Sequence, residues 1–447
     1  MNFRSGLLLV LLGLPAVLLL AFGPRGRVAA PPDRTVIRYW EKWSGAEAQA
    51  MMPIVERFNE TVGTEHGIWV EYCSVSNVDQ RMLISTAGGD PPDLAGLYDH
   101  AVPQFADQGA LLPLDDLVSA HGIDVDAFQP IWRDICRYED TLYALPSTPY
   151  TIALYYNRRL LREARLNPDR PPRTLAELNE YAIRLTKRDA SGRITQLGFT
   201  TSPAMLGWWH WVWPFFFDAR PWDGAHYALD SPQMHAAVEW ITTRRAALGN
   251  NKVLDFERAA GAIEGTQNAF LAQRLAMLFQ GPWVSNWVQK YAPDLDYGVA
   301  PFPSLTPEGR NAFASTDVFV IPRSSPHPQE AMIFLAYVMR QEVLEELCRL
   351  QCKVSPFRAP GPDFLAAHPN PHIRVFDELA GYEGAFGYPK MPTWTAARDE
   401  TLSLLQTVLI GKEDINAALR RGQQRVDAAV RDYQRMAALR RAQREGR

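Results

Sequence analysis

The densest chemistry in this sequence is aromatic. Residues 208–217 read Trp-Trp-His-Trp-Val-Trp-Pro-Phe-Phe-Phe, and further tryptophans stand at 40, 43, 222, 283 and 394. Sugar rings present axial C–H bonds that lie against aromatic faces, and their hydroxyls need acceptors and donors at the rim, such as Glu41, Asp99, Asp218 and Arg398. A run of aromatics also serves a core, and Phe215 to Phe217 are assigned there. Trp40 and Trp43 are assigned to a binding surface, because they stand at the carboxyl end of the first strand, where open α/β sheets bind ligands.

Covalent chemistry has no comparable support. There is no G-x-S-x-G elbow, no G-x-x-x-x-G-K-[ST] loop, no H-E-x-x-H and no G-x-G-x-x-G after a strand. Asp115-Asp116, Glu139-Asp140 and Glu345-Glu346 are adjacent acids that do not face each other on a helix and read as solvated surface. Two prolines interrupt His368-Pro-Asn-Pro-His372, which excludes a helical zinc pair. No metal or cofactor is implied. A glycan-processing enzyme, which needs two separated carboxylates, stays as a less favoured alternative.

The elements that must position these residues belong to a chain of 447 residues, 47% hydrophobic and 21% charged, a globular composition sufficient for two or three folding units. Its 46 basic and 50 acidic side chains give −4, with no long basic block before the last ten positions, which argues against a nucleic-acid partner. Residues 1–30 read as a secretory signal peptide: Arg4, an apolar run from Leu7 to Phe22, then Val28-Ala29-Ala30. The basic residues Arg25 and Arg27 equally suit an uncleaved N-terminal anchor. Removing the segment takes away three arginines and no acid, leaving −7. The body is expected to be soluble, periplasmic or otherwise extracytoplasmic. Four cysteines, at 73, 136, 348 and 352, are too few for a disulfide scaffold and read as buried apolar groups.

Strands and helices alternate. Val36–Trp40, Ile68–Tyr72 and Asp93–Leu97 read as strands, separated by helical patterns over Met51–Phe58 and Asp79–Ala87. Ser44-x-x-Glu47 and Thr174-x-x-Glu177 are capping boxes, and Pro53 implies a kink or a later helix start. Further strands are expected at Leu197–Thr201, Ala276–Phe279 and Val318–Ile321. Helices follow at Pro232–Leu248, after Gly281-Pro282 with the proline in the first turn, at Gln329–Leu350, and from Ala397 to about Arg441. This order predicts mostly parallel sheets with helices on both faces.

Several runs resemble the bacterial extracellular solute-binding protein family 1, the maltose-binding-protein-like sugar receptors of ABC importers. They are Pro92-Asp93-Leu-Ala-Gly-Leu-Tyr-Asp99, Phe105-Ala-Asp-Gln-Gly109-Ala-Leu-Leu-Pro-Leu114, Leu145-Pro146 with Leu154-Tyr-Tyr-Asn157-Arg-Arg-Leu160-Leu, and Phe270-Leu-Ala-Gln-Arg-Leu-Ala276-Met277-Leu-Phe-Gln-Gly281-Pro282-Trp283. The likeness extends from about Thr35 to Val430. Trp283 matches a stacking tryptophan of that family, Trp394 a late aromatic, Asp99 a hydroxyl acceptor, and His210 or Trp211 a further stacking aromatic. Tyr150 stands where the maltodextrin receptors carry a carboxylate, a departure that argues against assuming a maltodextrin ligand.

The resemblance implies an α/β, two-lobe periplasmic-binding-protein fold, each lobe a mostly parallel sheet flanked by helices, joined by a three-segment hinge. Lobe one would take residues 33–146 and 304–350, lobe two 150–300 and 351–447. It further implies a monomer that captures a carbohydrate between the lobes, closes, and docks on the transmembrane permease of an ABC transporter. Ligand-binding residues would be Trp40, Glu41, Trp43, Asp99, Tyr150, His210, Trp211, Trp283, Trp394 and Arg398. Arg398 near Trp394 keeps open a receptor for a non-sugar solute such as a glycerophosphodiester.

Overall fold

Thr35–Glu41 alternates along its length: Ile37, Tyr39 and Glu41 turn to a buried face, Val36, Arg38 and Trp40 to a half-buried one. A computed structural model describes residues 30–202, 209–261 and 265–445, so nearly all of the expected signal or anchor segment, and Trp208, lie outside the described residues. Thr35–Glu41 pairs in parallel with Ile68–Ser74 and with Leu94–Tyr98. The helices Gly45–Glu60 and Val78–Ala87 lie along the intervening crossovers.

Leu94–Tyr98 then pairs antiparallel with Asn311–Val320, which arrives from far down the chain and is buried at every position. Asn311–Val320 also runs antiparallel to Leu145–Thr151 and parallel to Gly384–Phe386. Only the apolar end of this strand was expected from the sequence, because Ser315, Thr316 and Asp317 break the apolar run. The second sheet runs in the order Tyr297–Ala300, Ala153–Asn157, Leu275–Gln280, Ile194–Phe199, Lys187–Arg188. It is mixed rather than mostly parallel: Leu275–Gln280 with Ile194–Phe199 is a parallel pair, and the others run antiparallel. The reason lies at Ala153–Asn157, which continues directly from Leu145–Thr151, so its direction is set by that crossing and not by a helical return.

Each sheet has its own apolar core. The first gathers side chains from Ile37 to Leu145 and from Val318 to Leu347; the second gathers those from Tyr150 to Phe302, Ala312 to Ala314 and Ile373 to Val426. Some residues reach across: Trp132 enters the second core, with Ile131 and Ile135 packed against it, and Phe357 enters the first. The main chain passes between the cores near 145–150, 314–318 and 347–354.

Local signals fared unevenly. Thr174 caps its helix, its Oγ1 accepting from the Glu177 amide at 3.1 Å while the Glu177 carboxylate accepts from the Arg173 amide at 2.7 Å. Ser44 stands at the N-cap but makes no side-chain cap bond, and Glu47 instead pairs with Lys353 at 3.2 Å. The helix Gly45–Glu60 runs through Pro53. The expected helix Gln329–Leu350 is two, Pro328–Val338 and Gln341–Leu350, because Arg340 is extended at ψ 132° and its carbonyl starts a new turn. The chain ends on a 31-residue helix, Ile415–Glu445. Among the described residues no helix is long and apolar enough to cross a membrane.

Candidate functional site

The end of the first strand places a charge in the interior. Glu41 is fully buried, its Oε2 accepting from the Tyr39 hydroxyl at 2.6 Å and its Oε1 from the Lys42 amide at 2.8 Å. Burial raises its pKa, and the neighbouring Lys42 ammonium pulls it back. Gly96 on the adjacent strand makes the room: a Cβ there would lie 1.7 Å from Glu41 Oε2.

Lys42 Nζ donates to Glu41 Oε1 at 3.2 Å and to the Leu97 carbonyl at 3.0 Å, and lies 3.1 Å from Asp317 Oδ1. Burial disfavours its charge, but Asp317 and Glu41 outweigh that, so its pKa is raised. Asp317 sits where the pairing of Asn311–Val320 with Leu145–Thr151 slips its register, an irregularity that re-aims a side chain. Its Oδ2 accepts from Trp43 Nε1 at 2.8 Å and from the Thr148 hydroxyl at 3.2 Å. Burial pushes the Asp317 pKa up, yet Lys42, Lys353 and these donors bring it below the usual carboxylate value.

Asp99 follows the third strand and is buried. Its Oδ1 accepts from the Ser315 hydroxyl at 3.0 Å and from the His100 amide at 2.9 Å. Desolvation dominates and lifts its pKa to about 8, so near neutral pH it is a protonated acid able to donate as well as accept. His100 stacks on Tyr98 at 5.5 Å and meets Tyr388 at 4.9 Å. Burial, helped by Arg398 and Lys42, lowers its pKa to about 3, and its neutral ring leaves a buried Nδ1 without a hydrogen-bond partner. Asp99 and His100 border a cavity of about 260 Å³, with Ile135, Arg220 and Tyr388 on its other walls.

Trp283 meets Tyr150 edge to face at 5.1 Å. Lys353 Nζ lies 4.6 Å from the Trp283 ring centroid and 5.0 Å from that of Tyr150, a cation against two aromatic faces. Trp283 is the N-cap of the helix Val284–Tyr291, so Pro282 stands one place ahead of the cap and not in the first turn. Gly281 lets the indole fold back, since a Cβ there would lie 2.3 Å from the ring. Among the described residues no three His, Cys, Asp or Glu side chains gather as a metal site. Two α/β cores are joined by short crossings, and polar and aromatic groups converge where they meet, an arrangement able to take a small polar molecule.

The bacterial extracellular solute-binding protein family matches residues 42–344. The chain belongs to this family. A binding protein of Brucella abortus (strain 2308) is 22% identical over 358 residues, 79% of this chain and 83% of that one. The sn-glycerol-3-phosphate-binding periplasmic protein of Escherichia coli (strain K12) is 26% identical over 201 residues, 43% of this chain and 42% of that one. The solved structure of CpMnBP1 with mannotriose bound superposes with a TM-score of 0.76 at 24% identity, covering 89% of this chain and all of that one. The two-lobe architecture of the solute-binding proteins is thus the fold here.

Within this solute-binding fold the residues picked from the sequence fall into separate groups. Glu41, Trp43 and Asp99 converge around Lys42 and Asp317, and Tyr150 joins Trp283. His210 and Arg398 touch, His210 Nε2 lying 3.2 Å from the Arg398 carbonyl. The Arg398 guanidinium is paired with Asp399 at 2.9 Å. Trp211 and Trp394 are fully buried and pack on each other at 4.7 Å, so in this structure neither offers a free face for stacking. Their spacing was right for aromatics, but the second core claims them. Trp40 lies on the opposite face of the strand from Glu41, half-buried against the first core, and does not join the cluster. Lys42, His100, Asp317 and Lys353 were missed. Lys42, between Glu41 and Trp43, and His100, next to Asp99, were open to the same argument; Asp317 and Lys353 are assembled by long-range pairing that no local spacing announces.

Proposed function

We propose that this solute-binding protein is an extracytoplasmic receptor that captures a sugar or oligosaccharide between its lobes and delivers it to the permease of an ABC transporter, without turning it over. Lobe one would comprise residues 33–146 and 304–350, lobe two 150–300 and 351–447, with residues 1–30 acting as export signal or anchor and the mature protein a monomer. The observation that carries the sugar reading is the composition of the site: Trp283 and Tyr150 supply ring surfaces, and Asp99, Asp317, Lys42 and Lys353 supply paired donors and acceptors suited to neutral hydroxyls. Asp99, held protonated by burial, can give a hydroxyl a proton to share as well as take one.

A glycerol phosphate, the solute named for the Escherichia coli relative, would need an uncommitted cation. Lys42 and Lys353 each lie within 3.2 Å of a carboxylate, and Arg398 within 2.9 Å of Asp399. Arg220, on the wall of the inner cavity, donates to the Ala219 carbonyl and Asn311 Oδ1 and is not paired with a carboxylate among the described residues, so it is the group a glycerol phosphate would use; the other three cations favour a neutral polyol over an anion. Thermal-shift measurements against a panel of mono- and oligosaccharides and glycerol phosphates test the reading, since ligand at 100 times Kd stabilises the native state by about 2.7 kcal/mol. Stabilisation by glycerol phosphates alone would overturn the sugar assignment. Chromatography of the incubated sugars tests the absence of turnover, and cleavage that survives repurification would make the protein an enzyme.

A further inference from the structure

We propose that the site around Asp99 is the inner end of a longer trough, and that this receptor takes an oligosaccharide whose outer units lie in a second cavity against the C-terminal helix. The inference rests on the carbohydrate reading above. Lys390 lines both spaces: the inner one at Asp99, about 260 Å³, and an outer one of about 640 Å³. Ligand pockets span ~300–1,000 Å³, so the inner space is small for a complete site and the outer one is of ligand size.

The outer cavity is walled from both lobes. Asp107, Tyr138 and Glu139 come from the first; Trp222, Lys390 and Tyr433 come from the second. Three ring faces beside two carboxylates and an ammonium repeat the combination that suits sugar rings and their hydroxyls. The polar groups are held in place: the Tyr433 hydroxyl donates to Asp107 Oδ2 at 2.6 Å, and Lys390 Nζ donates to the Asp134 carbonyl and Oδ1 at 2.7 and 2.8 Å, two of the three bonds an ammonium can give. The terminal helix faces this space with Ala437 and Ala438, side chains too short to fill it.

A second observation is strain at the rim. Glu139 and Asp140 form the turn between Arg137–Tyr138 and Thr141–Leu142, with φ of 46° and 65°. Two successive positive φ values are normally given to asparagine and glycine in such hairpins. Here they carry a glutamate that lines the cavity, a placement that neither turn propensity nor packing asks for.

The test is calorimetric titration of the full chain with mannose, mannobiose, mannotriose and mannotetraose, and with glucose, maltose, maltotriose and maltotetraose. The affinity is expected to rise with length beyond the disaccharide in one series. Trp222→Ala should remove roughly tenfold of that gain while leaving mono- or disaccharide binding unchanged, and Trp222→Phe should restore most of it. Thermal melts of both variants establish that they fold. Affinity independent of length, or an equal loss for short and long sugars in Trp222→Ala, overturns the outer cavity and leaves the sugar receptor standing. If no sugar in either series binds, the carbohydrate reading falls and this inference falls with it.

Discussion

Lys42 Nζ and Asp317 Oδ1 lie 3.1 Å apart, joining the end of the first strand to the irregular point of the long strand Asn311–Val320. Both side chains are nearly inaccessible, at 5% and 8% exposure, so the pair is made in a poorly solvated setting. Deleting one member of such a pair leaves the other charge uncompensated, at about 3–5 kcal/mol. Lys42→Met is expected to lower the unfolding free energy measured by urea titration by that amount, and Asp317→Leu added to it should recover part of the loss. A Lys42→Met chain as stable as its parent would show that the ammonium is not what holds Asp317 and Glu41 in place.

Asp99 sets an alkaline limit. Its pKa of about 8 exceeds the unfolded value of ~3.9, so the native state binds the extra proton between those limits. The stability it contributes is therefore fully present below pH ~4 and is lost as pH rises through about 8. Asp79 and Asp377, raised by burial to about 6, act with the same sign at lower pH. His100 and His368, lowered by burial to about 3 and about 4, oppose them as the solution becomes acidic. The window from pH 7 to 8 belongs chiefly to Asp99, because above it Cys136, Cys348 and Cys352, whose thiols burial pushes up, add a loss of the same sign as unfolded thiols ionise at ~8.5. Melting temperatures should fall across it in the parent and stay level in Asp99→Asn; parallel curves would place the Asp99 proton elsewhere.

The elements that sequence identified well are those with a local cause. Pro232–Leu248 has its capping Ser231 and a proline in the first turn, and Thr174 and Glu177 reciprocate within a few residues. What stayed hidden has a distant cause. Asn311–Val320 is a strand because two partners pair with its polar half, and Lys353 reaches Trp283 only because the chain returns after Leu350. The tryptophans show the same division: composition indicated aromatic surfaces, but only packing separates half-buried Trp283 from fully buried Trp211 and Trp394.

That separation is measurable. Trp283→Ala is expected to weaken sugar binding by about 1–3 kcal/mol, or roughly 5- to 150-fold in Kd, with a modest loss of stability. Trp394→Ala empties a site in the second core and should cost about 3–5 kcal/mol of stability. Calorimetric titration and thermal melts on both variants compare them directly. A collapse of the melting temperature in Trp283→Ala, with normal binding by the protein that remains folded, would move the site away from this indole.

Gly281→Ala probes the same indole through the backbone. A Cβ would lie 2.3 Å from the Trp283 ring, so either the ring or the backbone must shift, and the ring at the end of its side chain is the easier to displace. The ring would leave Tyr150 and Lys353, so affinity should fall about as far as in Trp283→Ala. Unchanged intrinsic tryptophan fluorescence together with unchanged affinity would mean that the ring stays where it is and the backbone yields instead.

The last expectation concerns the whole molecule. Two cores joined where the chain crosses near 145–150, 314–318 and 347–354 can rotate about those crossings, because each core is built mainly from its own sheet and helices, with Trp132 and Phe357 exchanged between them. A solute that contacts Asp99 and Asp317 on one side and Trp283 on the other binds better when the lobes are together, and that difference in affinity is all that can shift the equilibrium. Small-angle scattering with the sugar that gives the largest thermal shift should therefore show a smaller radius of gyration than the sugar-free protein. The contraction should be absent in Trp283→Ala at concentrations that saturate the parent. If the parent's radius of gyration does not change on saturation, the lobes are fixed, and the solute enters a preformed cleft instead of closing one.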